Sequence, residues 1–212
     1  MQAVLERLRS ELGTTQLVAV SKTKPLEMIL EAYRYGQRVF GENYVQELIE
    51  KATAAPDDIE WHFIGHLQSN KVTQVAGIRS CVVQTVDSLR LAERLNAARE
   101  PLGLPLRVMI QINTSGEATK SGCAPADALE LASAVSKLPY LELIGLMTIG
   151  APGDGGTSFD TLVASRNEIS VALAKPLKLS MGMSGDYLLA VQKGADYVRI
   201  GTAIFGERGT RV

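Results

Sequence analysis

Short apolar runs recur along the whole chain and alternate with segments that have helical spacing. The runs are five to eight residues long, and several are apolar at successive positions instead of at every second one. Continuous apolar character is typical of parallel strands that are covered on both faces. The pattern predicts eight strands, at residues 16–21, 38–42, 59–65, 81–86, 106–112, 141–148, 177–181 and 197–201.

Between these strands, apolar residues recur three or four positions apart, which predicts amphipathic helices. Leu26, Ile29 and Tyr33 show this spacing directly after the first strand. The same spacing occurs at 45–49, 91–95, 129–135 and 159–173, and Val4, Leu5, Leu8 and Leu12 predict an extra helix ahead of the first strand.

Eight strand–helix units with no long linker predict an α/β fold, a single (β/α)8 TIM barrel with an extra N-terminal helix. The predicted domain spans residues 1–212, which is compact for a fold that usually has about 250 residues. A doubly wound open sheet is the alternative, and the number of repeats favours the barrel.

Composition and charge indicate which class of molecule the protein binds. The chain has 46% apolar and 21% charged residues, and its net charge of −1 comes with basic residues scattered along the sequence. This pattern argues against nucleic acid and anionic membranes as partners and favours a small molecule. The two cysteines provide neither a disulfide framework nor a metal site. With no signal peptide or apolar stretch of about 18 residues, we expect a cytoplasmic protein, although an organelle reached through a removed transit peptide stays open.

In a barrel of this kind, functional side chains collect where strands end and the following loops begin. Polar residues occupy these positions in most of the predicted units. They are Ser21 to Lys24 after the first strand, Glu42 and Asn43 after the second, His62 and His66 in the third unit, Asn113 and Thr114 after the fifth, Thr148 after the sixth, Ser180 and Ser184 in the seventh, and Arg199 and Thr202 in the eighth.

Lys22 and Lys24 at the end of the first strand have two interpretations. Each ammonium group either pairs with a neighbouring carboxylate such as Glu42 or extends to solvent. Alternatively, a partly desolvated amine loses its proton readily and condenses with an aldehyde. The strand-end position alone does not separate these alternatives.

The last two units add the features of a phosphate site. Gly182, Ser184, Gly185, Gly201 and Thr202 supply hydroxyls and small residues where barrels often bind phosphate. No dinucleotide fingerprint and no nucleotide-binding P-loop occurs in the sequence. A lysine with a phosphate site fits pyridoxal 5′-phosphate or the sugar phosphate of a Schiff-base aldolase. Arg199 favours the first, because an arginine there could donate to the pyridine nitrogen.

Seven segments carry a resemblance to a known family. They are "LVAVSKTKP", "FGENYVQE", "WHFIGHLQSNK", "QINTSGEATKSG", "GLMTIG", "LSMGMSGDY" and "VRIGTAIFGER". Together they closely resemble the pyridoxal phosphate homeostasis proteins, which are related to the N-terminal barrel of alanine racemase (fold-type III). The resemblance extends from about residue 16 to residue 208.

The resemblance implies a role for each matching residue. Lys22 would hold pyridoxal 5′-phosphate as an internal aldimine, and Arg199 would face the pyridine nitrogen. Ser184, Gly201 and Thr202 would hold the phosphate, and Asn43 would line the pocket. Lys24, Lys71 and His62 would be neighbours at the rim of the barrel.

The resemblance also implies a function in vitamin B6 homeostasis, as a cofactor carrier instead of an enzyme. The sequence runs to Val212, directly after the eighth unit, so we expect no second domain that would supply the catalytic tyrosine of a racemase. We expect a monomer with transient contacts to apo-enzymes. A low-activity amino-acid racemase is the alternative, and an aldolase is a third. Glu47, Glu50 and Lys51 are interpreted as a solvated helix face.

Overall fold

Eight parallel strands form a closed barrel in which each strand pairs with its neighbours in sequence and β8 pairs with β1. The computed structural model describes residues 1–117, 119–151 and 153–207, and the statements below concern those residues. The strands are β1 Gln16–Val20, β2 Val39–Glu42, β3 Glu60–Phe63, β4 Cys81–Val86, β5 Leu106–Gln111, β6 Leu141–Met147, β7 Lys178–Ser180 and β8 Tyr197–Ile200. Closure confirms the predicted barrel and excludes the open sheet.

Helices follow the strands on the outside of the barrel, and α1 precedes β1 as predicted. They are α1 Gln2–Leu12, α2 Leu26–Arg34, α3 Val45–Ala54, α4 Val72–Ala76, α5 Leu89–Arg99, α6 Ala128–Val135, α7 Thr157–Ala172, α8 Tyr187–Gln192 and α9 Thr202–Phe205. The helical spacing did not predict α4, α8 or α9. These helices have four to six residues, which is too short for a periodic pattern to emerge.

Local signals in the sequence set several helix ends. The Ser88 hydroxyl accepts a hydrogen bond from the Leu91 N–H and caps the start of α5. Gly13 ends α1 with a φ of 57°, a conformation that glycine adopts without strain. No helix among the described residues is long and apolar enough to cross a membrane.

Two apolar layers explain why the strands are apolar on both faces. Leu17, Ala19 and Phe40 belong to the large layer between the strands and the helices. Val18 and Val39 lie in a smaller cluster of alternate strand residues inside the barrel, together with Val82, Met109, Met147 and Tyr197. Because side chains alternate along a strand, neighbouring residues such as Leu17 and Val18 fill different layers.

Gly145 on β6 lies where the barrel leaves no room for a side chain. An ideal Cβ there would be 2.2 Å from the Lys178 carbonyl oxygen and 2.6 Å from the Met109 Cε atom. The first of these atoms belongs to the backbone of β7, so it cannot move without disturbing the β6–β7 pairing. The packing of these two strands therefore requires glycine at this position.

We expect Gly145→Ala to lower the free energy of unfolding by about 3 kcal/mol, because the added methyl group overpacks the barrel wall. Urea denaturation monitored by circular dichroism measures the change. Gly77→Ala is the control, since a Cβ at Gly77 would be 3.4 Å from its nearest neighbour, the Thr73 carbonyl oxygen. An equal loss of stability in the two variants would contradict the packing argument.

Candidate functional site

A cavity of about 380 Å³ opens at the carboxyl ends of the strands. Six residues that the sequence predicted as a site all line it, namely Lys22, Asn43, Ser184, Arg199, Gly201 and Thr202. Lys24 lines it as well, together with Gly185, Gly206 and five apolar residues, Val20, Ile64, Met147, Ile149 and Met183. The cavity therefore combines amines, a guanidinium group, hydroxyls and an apolar wall.

Lys22 lies in a tight turn directly after β1. The Lys24 N–H donates to the Ser21 carbonyl oxygen at 3.1 Å, which closes the turn. Thr23 adopts a φ of 62° within it. The Lys24 ammonium group donates to the Glu207 carbonyl oxygen at 2.6 Å. The turn thus brings two primary amines to the wall of one cavity.

Asn43 lines the cavity directly after β2. Its side-chain oxygen Oδ1 is buried and has no hydrogen-bond partner among the described residues. A buried acceptor left unpaired costs about 1–3 kcal/mol, and the assignment of oxygen and nitrogen in an amide follows from its partners. Gly65 permits the neighbouring strand to approach, since a Cβ there would be 2.0 Å from the Asn43 carbonyl oxygen. The side-chain amide of Asn43 can therefore form a hydrogen bond with a ligand in the cavity.

Arg199 on β8 places a positive charge in the cavity wall. Its side chain is almost fully buried, with Nη1 donating to the Ser180 hydroxyl at 2.8 Å and Nη2 donating to the Thr148 carbonyl oxygen at 2.7 Å. Burial lowers the pKa of the guanidinium group to about 10, so it remains cationic at neutral pH. Acceptors on β7 and directly after β6 thereby fix the orientation of the guanidinium group.

Ser180 connects Arg199 to a polar chain through the interior of the barrel. The Ser180 hydroxyl donates to Gln84 Oε1 at 2.7 Å, and the Gln84 amide contacts His62 Nδ1. His62 Nε2 lies 2.7 Å from Glu60 Oε1. A carboxylate only accepts, so Nε2 carries the imidazole proton and Nδ1 accepts from Gln84. All four donors therefore point from Arg199 towards Glu60.

The position of His62 corrects one expectation. The imidazole is fully buried inside the barrel and is not among the residues that line the cavity. Burial lowers the pKa of His62, although Glu60 opposes this effect. Lys71 lies in a short 3-10 turn after β3 and does not line the cavity either. The family resemblance placed both at the rim, and the strand-end argument did so for His62, but His62 faces inward in the middle of β3.

The environment of Lys51 corrects a second expectation. Lys51 on α3 is buried, and its ammonium group contacts Glu42 at 2.7 Å and Glu47 at 2.9 Å. Lys51 therefore packs against the ends of β1 and β2 instead of facing solvent, whereas Glu50 is exposed as predicted. Ser21 also donates to Glu42, so this carboxylate, which was a candidate partner for Lys22, contributes to a cluster between the barrel and α3.

The loops after β7 and β8 form the part of the cavity that the sequence predicted for phosphate. The Met183 N–H donates to the Asp186 carboxylate at 2.6 Å, which orders the loop that carries Ser184. Gly182 has a φ of 89°, and a Cβ there would be 2.5 Å from the Ala190 methyl group. No atom lies within 4 Å of the Cβ position of Gly185. These loops thus combine hydroxyl groups with a backbone segment that a ligand can approach closely.

Several cavity residues were not predicted from the sequence. Ile64 directly follows β3, and Ile149 lies two residues after the end of β6, so their strand-end positions were a usable signal. Only polar residues at strand ends were predicted to line a site, so the apolar part of the cavity wall was not predicted. The described residues contain no group of three or more histidine, cysteine, aspartate or glutamate side chains that could hold a metal ion.

The fold and the site define a class of protein, a (β/α)8 barrel with a lysine-bearing cavity at the carboxyl ends of its strands. Residues 1–209 match the family model described as "Alanine racemase, N-terminal domain". The alanine racemase of Clostridium difficile 630 has the same fold, with a TM-score of 0.85 and 16% identity over 97% of this chain and 56% of its own.

Closer relatives identify the family within that class. The "Pyridoxal phosphate homeostasis protein" of Schizosaccharomyces pombe is 49% identical over 200 residues, which cover 92% of this chain and 84% of the relative. The structure of PipY of Synechococcus elongatus PCC7942 with PLP bound has a TM-score of 0.86 and 38% identity, and covers 97% of this chain and 99% of PipY. The chain belongs to the pyridoxal phosphate homeostasis protein family, as its sequence motifs predicted.

We expect Glu60 to make stability depend on pH in the acidic range. Burial raises the pKa of this carboxyl group, but hydrogen bonds and charges from His62 and Arg107 outweigh burial and lower the pKa to about 2. This contribution is fully present above the unfolded-state pKa of about 4.3 and is lost as pH falls through 2, a change of about 2–3 kcal/mol.

The measurement is the free energy of unfolding in urea between pH 5 and pH 2. We expect Glu60→Gln to flatten this dependence relative to the wild-type protein, because glutamine does not titrate. Glu142→Gln, at an exposed position on β6, is the control. An unchanged slope in Glu60→Gln would mean that the carboxylate is not held by His62 and Arg107.

Proposed function

We propose that this protein binds pyridoxal 5′-phosphate in the cavity at the carboxyl end of the barrel and acts in intracellular homeostasis of that cofactor. The observation that carries the proposal is the meeting of Lys22, Arg199 and the Ser184 and Thr202 loops around one cavity. The volume of about 380 Å³ lies in the range of small-molecule sites. The names of the relatives and the PLP-bound structure of PipY support the same conclusion.

The donor set of the cavity fits this cofactor. When bound, pyridoxal 5′-phosphate supplies an aldehyde that condenses with a primary amine, a pyridine nitrogen and a phosphate. Lys22 is the proposed amine, and Ser184, Gly201 and Thr202 are the proposed phosphate contacts. Arg199 remains charged when buried, so it would donate a hydrogen bond to the pyridine nitrogen without giving up its proton. Asn43 has the unpaired amide oxygen described above.

We further propose that the protein carries the cofactor without substantial turnover. Racemisation needs a base on each face of the substrate. Among the described lining residues there is no tyrosine, histidine, cysteine, aspartate or glutamate. Tyr187, the tyrosine near the loop that carries Ser184, donates to Glu11 at 2.6 Å on the outer surface. Among the described lining residues, Lys24 is the remaining candidate for a second base.

The biological setting completes the proposal. We propose that the chain works as one barrel domain and a monomer in the cytoplasm, and that it transfers the cofactor to apo-enzymes through transient contacts. The exposed amine of Lys24 and the opening of the cavity at one end of the barrel are consistent with exchange of a bound small molecule. An organelle reached after removal of a transit peptide is an alternative location.

We expect Lys22→Ala to abolish the near-visible absorbance that appears when the purified protein is mixed with pyridoxal 5′-phosphate, because the condensing amine is removed. Borohydride reduction followed by peptide mapping then finds no modified lysine at this position. Lys24→Ala is the matched control, since it removes the other amine of the same turn and should retain the band. Retention of the band in Lys22→Ala would transfer the role to Lys24.

A second prediction tests the absence of turnover. We expect the cofactor-loaded protein, incubated with L-alanine or L-serine in heavy water, to form no D-enantiomer that carries deuterium at Cα. The physical reason is that inversion needs a base on each face of the substrate, and no second base lines the cavity among the described residues, apart from Lys24. Chiral chromatography with mass spectrometry measures the deuterated D-enantiomer, because exchange with retention needs one base alone. Deuterated D-amino acid that forms in the wild-type protein and not in Lys24→Ala would establish a racemase activity.

A further inference from the structure

The turn that carries Lys22 has a backbone conformation that its sequence does not favour. Thr23 has a φ of 62° at the third position of the turn that the Lys24 N–H closes on Ser21. Turns with a positive φ at the third position usually have glycine or asparagine at that position. For a β-branched residue the left-handed region is a strained outlier. Other contacts must therefore stabilise the turn.

A partly buried cluster beside the cavity supplies those contacts on both sides of Lys22. We call it the Lys51 cluster, and it consists of Ser21, Glu42, Glu47 and Lys51. On one side, the Ser21 hydroxyl donates to Glu42 Oε1 at 2.6 Å, and Lys51 donates to the Ser21 carbonyl oxygen at 2.9 Å. On the other side, the Thr23 N–H donates to Glu47 Oε2 at 2.7 Å. The residues before and after Lys22 are thus both tied to the cluster.

Lys51 joins the two halves of this arrangement. Its ammonium group has three hydrogens, and it contacts three acceptors, the Ser21 carbonyl oxygen, Glu42 Oε1 and Glu47 Oε2, at 2.7–2.9 Å. Its side chain is only 8% exposed, and that of Glu42 is fully buried. Charge-assisted hydrogen bonds in such surroundings hold geometry firmly.

The cluster is separate from the cavity wall. Glu42, Glu47 and Lys51 are not among the residues that line the cavity, so direct contact with a ligand does not explain them. Burying the charged groups of Glu42 and Lys51 is costly unless their geometry serves a purpose, and replacement of such clusters by apolar residues is often neutral for stability. Their common feature is the fixation of the turn at residues 21–24.

We propose that Glu47 and Lys51 are positioning residues that hold Thr23 in its left-handed conformation and thereby set the position from which the Lys22 amine reacts. The inference rests on the proposed function, because it concerns the approach of Lys22 to the aldehyde of pyridoxal 5′-phosphate. Without the Glu47 contact, Thr23 relaxes towards a negative φ, and the backbone that carries Lys22 rotates with it. The cavity that binds the rest of the cofactor stays intact.

The test separates the condensation of Lys22 from the binding of the cofactor. Glu47→Ala removes the acceptor for the Thr23 N–H, and Glu47→Gln keeps an oxygen acceptor but removes the charge. Glu50→Ala is the control, since Glu50 lies exposed on the same helix. Lys51→Ala is avoided as the main variant because it leaves Glu42 buried without its cation.

Two measurements are made on each cofactor-free variant. Stopped-flow absorbance at saturating pyridoxal 5′-phosphate gives the rate at which the near-visible band forms. Titration with pyridoxine 5′-phosphate, which has a hydroxymethyl group in place of the aldehyde, gives the affinity of the cavity without condensation. Thermal unfolding of the same samples reports stability.

We expect Glu47→Ala to form the band at least about tenfold more slowly, since displacement of a reacting group by about 1 Å has effects of this size. Its affinity for pyridoxine 5′-phosphate should stay within about twofold of wild type. Glu47→Gln should recover most of the rate, and Glu50→Ala should match wild type.

Three results would overturn the inference while leaving the proposed function in place. The first is a normal rate in Glu47→Ala with only a lower melting temperature, which would indicate a purely structural role. The second is an equal loss of rate in Glu47→Gln and Glu47→Ala, which would make the charge and not the hydrogen bond responsible. The third is an equal loss of rate and of analogue affinity. Failure of the wild-type protein to form the band would instead refute the proposed function.

Discussion

The pairing of β1 with β8 is the contact on which the rest of the site depends. It closes the ring of parallel strands, and closure brings all carboxyl ends to one rim. Lys22 and Arg199 are far apart in the sequence, yet they line the same cavity because Val18 is in register with Arg199 across this pair. An open sheet would separate the first and last strands and would leave the amine far from the loops that are proposed to hold phosphate.

The barrel interior contains an apolar cluster, which stabilises the fold, and a chain of polar side chains, which orients Arg199. Apolar side chains such as Val18 and Met109 fill part of it, and burial of apolar surface stabilises the closed ring. A polar chain from Arg199 through Gln84 and His62 to Glu60 occupies the remainder. Its cost is offset because each donor has an acceptor. The chain fixes the guanidinium group in the wall of the cavity and ends at the carboxylate of Glu60, the first residue of β3.

The turn after β1 shows how a strained segment is kept at a functional site. Thr23 would favour a different backbone conformation in isolation, and the Glu47 carboxylate holds it through one hydrogen bond. Glu47 is in turn held by Lys51, which also contacts Glu42 on β2. Strain in the turn is therefore balanced by charged hydrogen bonds from α3, an element that does not contact the ligand cavity.

The sequence by itself determined the eight strands, the barrel class and six of the residues that line the cavity, because apolar runs and strand-end positions are local signals. It also carried the family motifs. The short helices such as α8, the inward direction of His62 and the burial of Lys51 were decided by the tertiary structure. A lysine near glutamates on a helix gives the same sequence pattern whether that side of the helix faces solvent or packs against the ends of two strands. Only closure of the barrel, which packs α3 against β1 and β2, makes the difference.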